Sequence, residues 1–209
     1  MTQRCPVCGQ DYGLTHSCPG AIPSAAANEW VPPAGIAAGY YFRQALAIAR
    51  FDDAAILEAS RDTNALLYGA LIWLVGALLA FANGIAGPLS QSLHINWLAL
   101  LVAAFFAIFF SAIWTLARYG ICHLLARWWF HATGTYVGVL RAMLLGSIVL
   151  WLIVIPYVGV FIGGLWSLAV LMRVFEEVDG IERMKAFALA FGIGLVFWIL
   201  ALTFYTPRP

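Results

Sequence analysis

Read from the N-terminus, the chain changes character at Asp62: from there to Arg118 it contains no Asp, Glu, Lys or Arg. The hydrocarbon core of a bilayer is crossed by about 20 helical residues, so this uncharged stretch is too long for one crossing. "GIAGPLSQSLHIN" at 84–96 brings Pro, Gly and polar residues together and predicts a turn. Spans are therefore expected near 64–84 and 95–117. "RYGICHLLARWWFHATG" then reads as a short polar connector, followed by apolar sequence from Thr135 to Phe175 and a last apolar stretch from Lys185 to Tyr205.

Charge placement decides how often the stretch from Thr135 to Phe175 crosses. Arg118 and Arg127 precede it, and Arg173, Arg183 and Lys185 lie at or after its end. Positive residues are retained in the cytoplasm, so both flanks are assigned there and the number of crossings is even. Two spans, near 136–155 and 157–175 with a turn in "IPYVG" around Pro156, meet that condition, and 185–205 is the fifth. The expected outer loops, 84–96 and 155–158, hold no Lys or Arg. The expected fold is an all-α integral membrane bundle of five spans over 63–209, with the N-terminus in the cytoplasm and the C-terminus outside.

Ahead of the spans the pattern divides into three. Residues 1–20 carry "CPVCGQDYGLTHSCPG", a small polar clasp. Residues 21–39, rich in Ala, Pro and Gly, read as a linker. Residues 40–62 contain good helix formers and no Gly or Pro; Arg43, Arg50 and Arg61 fall in one stripe of a helix, while Asp52 interrupts the mostly apolar opposite arc. This segment is expected to be a juxtamembrane helix on the headgroup surface, each Arg adding about 1 kcal/mol of attraction to anionic lipid.

Composition changes the picture only by sharpening it. The 209 residues are 63% hydrophobic and 10% charged, with a mean hydropathy of +0.88; soluble domains carry about 25% charged residues. Lipid is the expected solvent. The net charge of +1 says nothing about nucleic acid, but no basic run is present to track a phosphate backbone, so no nucleic-acid partner is expected. Of the 11 Lys and Arg residues, Lys185 is the single lysine, the bias of a GC-rich genome, so a bacterial source and its cell (inner) membrane are expected. The first 30 residues lack the basic start and apolar core of a cleavable signal peptide. The cysteines are then expected to stay reduced.

Reduced, clustered cysteines point to metal. Cys5-x-x-Cys8 makes a knuckle that puts two thiolates on one ion, and His16 and Cys18 complete a tetrahedral set of three sulfurs and one imidazole. Zinc is the expected cofactor, in a closed and hence structural site. Asp11 or a neighbouring chain is the alternative to His16 as fourth ligand, and metal-free reduced thiols are the alternative to zinc. Other polar residues invite plainer readings. Arg141 falls inside the third span near its cytoplasmic end, within reach of water. Cys122, His123 and His131 are expected to be interfacial polar residues rather than a second metal site. "EEVDG" at 176–180 reads as a solvated loop with Asp179-Gly180 marking a helix end. Trp97, Trp128 and Trp129 sit near span ends, as interfacial anchors do. Gly159 and Gly163, and Ala186, Ala190 and Gly194, form small-residue stripes. Such stripes serve packing within the bundle, expected here, or a homo-oligomer.

From about 64 to 205 the chain resembles the Yip-one domain family of Ypt/Rab-interacting membrane proteins. The resemblance lies in "HLLARWWFHATGTYVGVLRAMLLGS", a polar connector leading to a glycine-marked third span. It continues in "IPYVGVFIGGLWSLAVLMRVFEEVDGIERMKAFALA", a Pro-Gly hairpin, a span ending in Trp and a Lys-Ala helix start. It implies five spans and a cytoplasmic N-terminus. The acidic "DLYGP"-type segment of the eukaryotic members is missing here, so their Rab binding is not carried over.

No G-x-S-x-G, H-E-x-x-H or paired intramembrane aspartates occur, so no enzymatic activity is expected. The expected function is a membrane-organising or trafficking-type adaptor whose zinc-ribbon-like segment contacts a cytoplasmic protein. A transporter, channel or lipid-handling protein is the alternative.

Overall fold

A computed structural model of the chain describes residues 38–91, 96–155 and 158–205, with side chains for all of these except 86–91 and 197–205. The clasp at 1–20 and all of the linker but its last two residues lie outside the described residues. Every described element is helical: α1 (Ala38–Ala49), α2 (Asp53–Arg61), α3 (Ala65–Gln91), α4 (Trp97–Phe130), α5 (Tyr136–Gly146) continued by a 3-10 segment (Ser147–Val154), α6 (Val158–Asp179) and α7 (Arg183–Tyr205). Four stretches, Ala65–Ile85, Trp97–Phe130, Tyr136–Val154 and Val158–Asp179, are long and apolar enough to cross a bilayer, with mean hydropathies of 1.9 to 2.4. They mark the chain as a membrane protein.

The helices start where side chains supply the missing acceptors. Asp52, Asn96 and Thr135 sit in extended backbone ahead of α2, α4 and α5 and accept from the N–H groups of Ala55, Ala99 and Gly138. Ends are set by left-handed residues: Phe51 (φ 65°) after α1, His131 (φ 55°) after α4 and Gly180 (φ 66°) after α6.

The bundle is organised around α5 and its 3-10 continuation: 61% of the most apolar window there is buried, against none of that in α4. Glycines let neighbours approach its backbone. A Cβ on Gly69 of α3 would lie 2.8 Å from Leu144 Cβ, and Gly76 leaves room for Trp151, whose indole Nε1 donates to Ile72 O at 3.0 Å. On the other side, Gly159 and Gly163 face the 3-10 segment: Cβ atoms there would lie 1.8 Å from Leu152 O and 3.2 Å from Val149 O. The glycine stripe of α6 thus packs within the chain, and Gly194 of α7 closes on Leu168.

Four expectations are corrected. The turn expected over 84–96 does not begin at 84, because α3 continues as helix to Gln91; the turn expected around Pro156 falls on 156–157, outside the described residues. The segment 40–62 is a pair of helices, α1 and α2, because Phe51 turns left-handed and Asp52 caps α2. The hairpin buries Tyr41, Ala45 and Ile48 of α1 and Ala55, Ile56 and Ala59 of α2, an arrangement a straight surface helix would not permit. The connector at 118–134 is helical as far as Phe130, since its Leu, Ala and Arg residues favour helix and no Pro stops them. Glu176 to Asp179 form the last turn of α6 rather than a solvated loop, and Asp179 is 1% exposed.

The contrast between two glycines of α6 is testable. Gly159→Ala forces a Cβ against a backbone carbonyl and is expected to destabilise the purified protein by about 3 kcal/mol. Gly164→Ala, which meets nothing within 4 Å, should be nearly neutral. Unfolding in detergent, followed by circular dichroism, reads both; equal effects would refute the close approach.

Candidate functional site

Several polar side chains of the described residues form one collar, where the α1–α2 hairpin and the loops after α4 and α6 meet the apolar helices. Each tie in the collar answers a need of the backbone or of a buried charge.

Asp62, 2% exposed, follows the last turn of α2. Its Oδ1 accepts from the backbone N–H of Asn64 at 2.8 Å, and its Oδ2 accepts from the Tyr41 hydroxyl at 2.6 Å. Tyr41 stacks on Tyr68 of α3 with centroids 4.1 Å apart. Burial, and then the hydrogen bond to Asp62, push the Tyr41 phenol well above its ordinary value. The phenol therefore stays a donor through the physiological range. The other end of α1 is held by α6: Trp166 Nε1 donates to Ala49 O at 2.8 Å, and the Trp166 ring stacks on Phe51.

The α2 helix is tied at both ends. At its C-terminus Arg141 Nη1 donates to Ser60 O at 3.2 Å and reaches Arg61 O at 3.5 Å, so a cation meets the negative end of the helix dipole. Arg141 therefore turns to a neighbouring helix terminus instead of standing free towards water. At the α2 N-terminus Asp53 accepts from Arg173 of α6, whose guanidinium also bonds Glu176 and lies 3.8 Å from Glu177. Arg183 Nε donates to Glu176 at 3.2 Å and extends the network to α7.

A second buried pair joins α4 to the end of α6. His123 Nδ1 lies 3.2 Å from Asp179 Oδ2, with both side chains buried. Thr133 N–H donates to Asp179 O at 3.1 Å, binding the loop after α4 to the same turn. The other carboxylate oxygen, Oδ1, has no hydrogen-bond partner among the described residues and sits against Gly134, where a Cβ would come within 2.2 Å of it. Glycine is needed at 134 because nothing larger fits between the loop and this carboxylate.

The sequence-derived candidates divide accordingly. Cys5, Cys8, His16 and Cys18 lie outside the described residues. Cys122 is a fully buried free thiol and His131 is exposed in the left-handed cap of α4. Among the described residues no three His, Cys, Asp or Glu side chains come together as metal ligands. The sequence reading overlooked Tyr41, Asp62, Trp166 and Arg173. The available signal was weak: a mid-helix tryptophan whose N–H needs an acceptor, and an acid directly ahead of a long uncharged stretch.

Two substitutions test the ties. Tyr41→Phe leaves the buried Asp62 carboxylate with one partner fewer and is expected to cost about 1.5–3 kcal/mol. Because the folded-state pKa of Tyr41 is raised, the stability it contributes is complete below its unfolded value near 10.0 and is lost as pH climbs beyond that. The wild type should therefore show a steeper alkaline loss of stability than Tyr41→Phe; parallel profiles would contradict the assignment. His123→Ala strands Asp179 in the interior and should cost about 3 kcal/mol, read in the same unfolding assay, with no effect expected if the pair is idle. No family model, curated protein or solved structure matches the chain.

Proposed function

We propose that the chain is a non-enzymatic membrane adaptor of five spans, a bacterial protein of the Yip-one domain type, that holds a cytoplasmic zinc-ribbon-like segment for a protein partner. The observation that carries this reading is the α1–α2 hairpin. Four side chains from other elements, Tyr68, Arg141, Trp166 and Arg173, bind it to the apolar helices. Whatever precedes Ala38 is thereby joined to a seat fixed on the bundle, a mechanical arrangement suited to presenting a recognition segment.

The fifth span is α7, a 23-residue helix with Arg183 and Lys185 in its first turn and apolar sequence from Ala186 to Tyr205. Arg127, Arg141, Arg173, Arg183 and Lys185 lie towards the ends of helices that meet at the collar, whereas 84–96 and 155–158 carry no Lys or Arg. The positive-inside rule then favours a cytoplasmic collar and N-terminus, with the C-terminus outside the cell (inner) membrane. Three thiols and an imidazole at Cys5, Cys8, Cys18 and His16 are a donor set that suits structural zinc, whose binding would supply the folding free energy of so short a segment.

The test compares wild type with a Cys5→Ser/Cys8→Ser variant. Purified wild type is expected to carry about one zinc per chain by elemental analysis, and the variant to lose it while remaining inserted. Crosslinked pull-down from native membranes should then show partners lost from the variant alone. Identical partner sets would move the function into the spans, the transporter or lipid-handling alternative.

A further inference from the structure

The C-terminal third of α4 is used by none of the ties above except His123. At about 1.5 Å per residue, the 34 residues of α4 extend about 51 Å, well beyond the hydrocarbon thickness of about 30 Å. The C-terminal turns of α4 share a cleft with Ala188 to Val196, the start of the proposed fifth span, so Arg127, Trp128 and Trp129 at the end of α4 are assigned to headgroup depth and Ile121 and Leu125 to the acyl-chain side of them.

That stretch is apolar where it meets no protein. Leu124, Trp128 and Trp129 are 65%, 78% and 62% exposed. Two clefts flank it and share Ile121 and Leu125. One, of about 500 Å³, lies between α4 and α7 and is lined by Trp129, Leu189, Gly192 and Val196 among others. The second, of about 510 Å³, is bordered by Leu124, Arg127 and Trp128. Both fall in the range of about 300–1,000 Å³ typical of small-molecule sites. Gly192 leaves its cleft open, since a Cβ there would meet nothing within 4 Å.

Charge identifies the occupant. Arg173, Arg183 and Lys185 each have a carboxylate within ion-pair distance. Among the described residues Arg118 and Arg127 have none. Arg127 borders the second cleft. Arg118 lies on the helical stripe of Ile121, Leu125 and Trp129, its Nε without a hydrogen-bond partner among the described residues. A continuous apolar surface, a guanidinium without a carboxylate partner among the described residues and a tryptophan rim together match one ligand class. Guanidinium binds phosphate in a forked geometry, and tryptophan settles at the level of lipid headgroups.

We propose that the cytoplasm-proximal part of α4, with α7, holds an anionic phospholipid. Its phosphate is bound at Arg127, and its acyl chains run over Ile121 and Leu125 into the cleft at Gly192. The site stands on membrane placement alone, so an unchanged partner set in the cysteine variant leaves it intact.

The test is native mass spectrometry of the full chain released from nanodiscs of mixed phosphatidylglycerol and phosphatidylcholine. Wild type should retain phosphatidylglycerol in preference. Arg127→Gln should cut that preference about fivefold, the equivalent of about 1 kcal/mol for one cation at a lipid surface. Gly192→Leu, which plugs the cleft, should lower retention of both lipids. Gly164→Leu, at an open glycine of α6 outside both clefts, should leave retention unchanged. Equal retention of the two lipids by wild type, an unaltered preference in Arg127→Gln, or a loss in Gly164→Leu equal to that in Gly192→Leu would each overturn the proposal. Circular dichroism melting confirms that the variants compared are folded.

Discussion

In a bilayer a backbone polar group has no water to fall back on, so every carbonyl and N–H must find a partner inside the protein. Helices satisfy this except at their ends, where four donors and four acceptors are left over. Much of what distinguishes this molecule from a bare set of apolar rods is the way it meets that demand. Asp52, Asn96 and Thr135 answer the donors that begin helices. Trp166 and Arg141 answer the carbonyls that end α1 and α2. Asn83 Nδ2 does the same for Ile153 O, 3.2 Å away at the end of the 3-10 segment.

Because those partners come from other helices, capping and tertiary assembly are one event. Trp166 cannot serve Ala49 unless α6 and α1 are packed, and Arg141 cannot reach Ser60 unless α5 lies against α2. Van der Waals contact between apolar helices in lipid has little hydrophobic drive, so such polar ties decide which arrangement wins. Glycines decide how near it comes. Where Gly69, Gly134 and Gly159 face backbone or carboxylate oxygen, a single methyl would collide. At Gly164 and Gly192 space remains on the outside of the bundle.

The collar also concentrates charge at cost. Asp62 and Asp179 are buried acids, each held by one side chain, Tyr41 and His123 respectively. Buried groups of this kind add little net stability but make alternative packings expensive, because losing one partner leaves a charge stranded. The α1–α2 hairpin is therefore fixed in place by specific bonds rather than by area alone, which is what an attachment point requires.

The membrane character, the presence of apolar helices at α3 to α7 and the inward role of the α6 glycines were legible in the sequence, although α3 runs on to Gln91 through the turn that Gly84 and Pro88 suggested. These features depend on local hydropathy and on small residues four apart. The break at Phe51 was not legible, because a left-handed Phe is stabilised by its stacking on Trp166 and no local rule anticipates it. Nor was the extension of α4 to Phe130, since scattered polar residues were read as a loop where Leu, Ala and Arg carry the helix on. Asp179 was misplaced into solvent for the same reason. The pairs of the collar join residues 56, 81 and 117 positions apart, His123 with Asp179, Arg141 with Ser60, and Trp166 with Ala49. A buried polar group needs a partner wherever packing brings one, so the sequence by itself determined that such groups required partners and only the tertiary structure decided which.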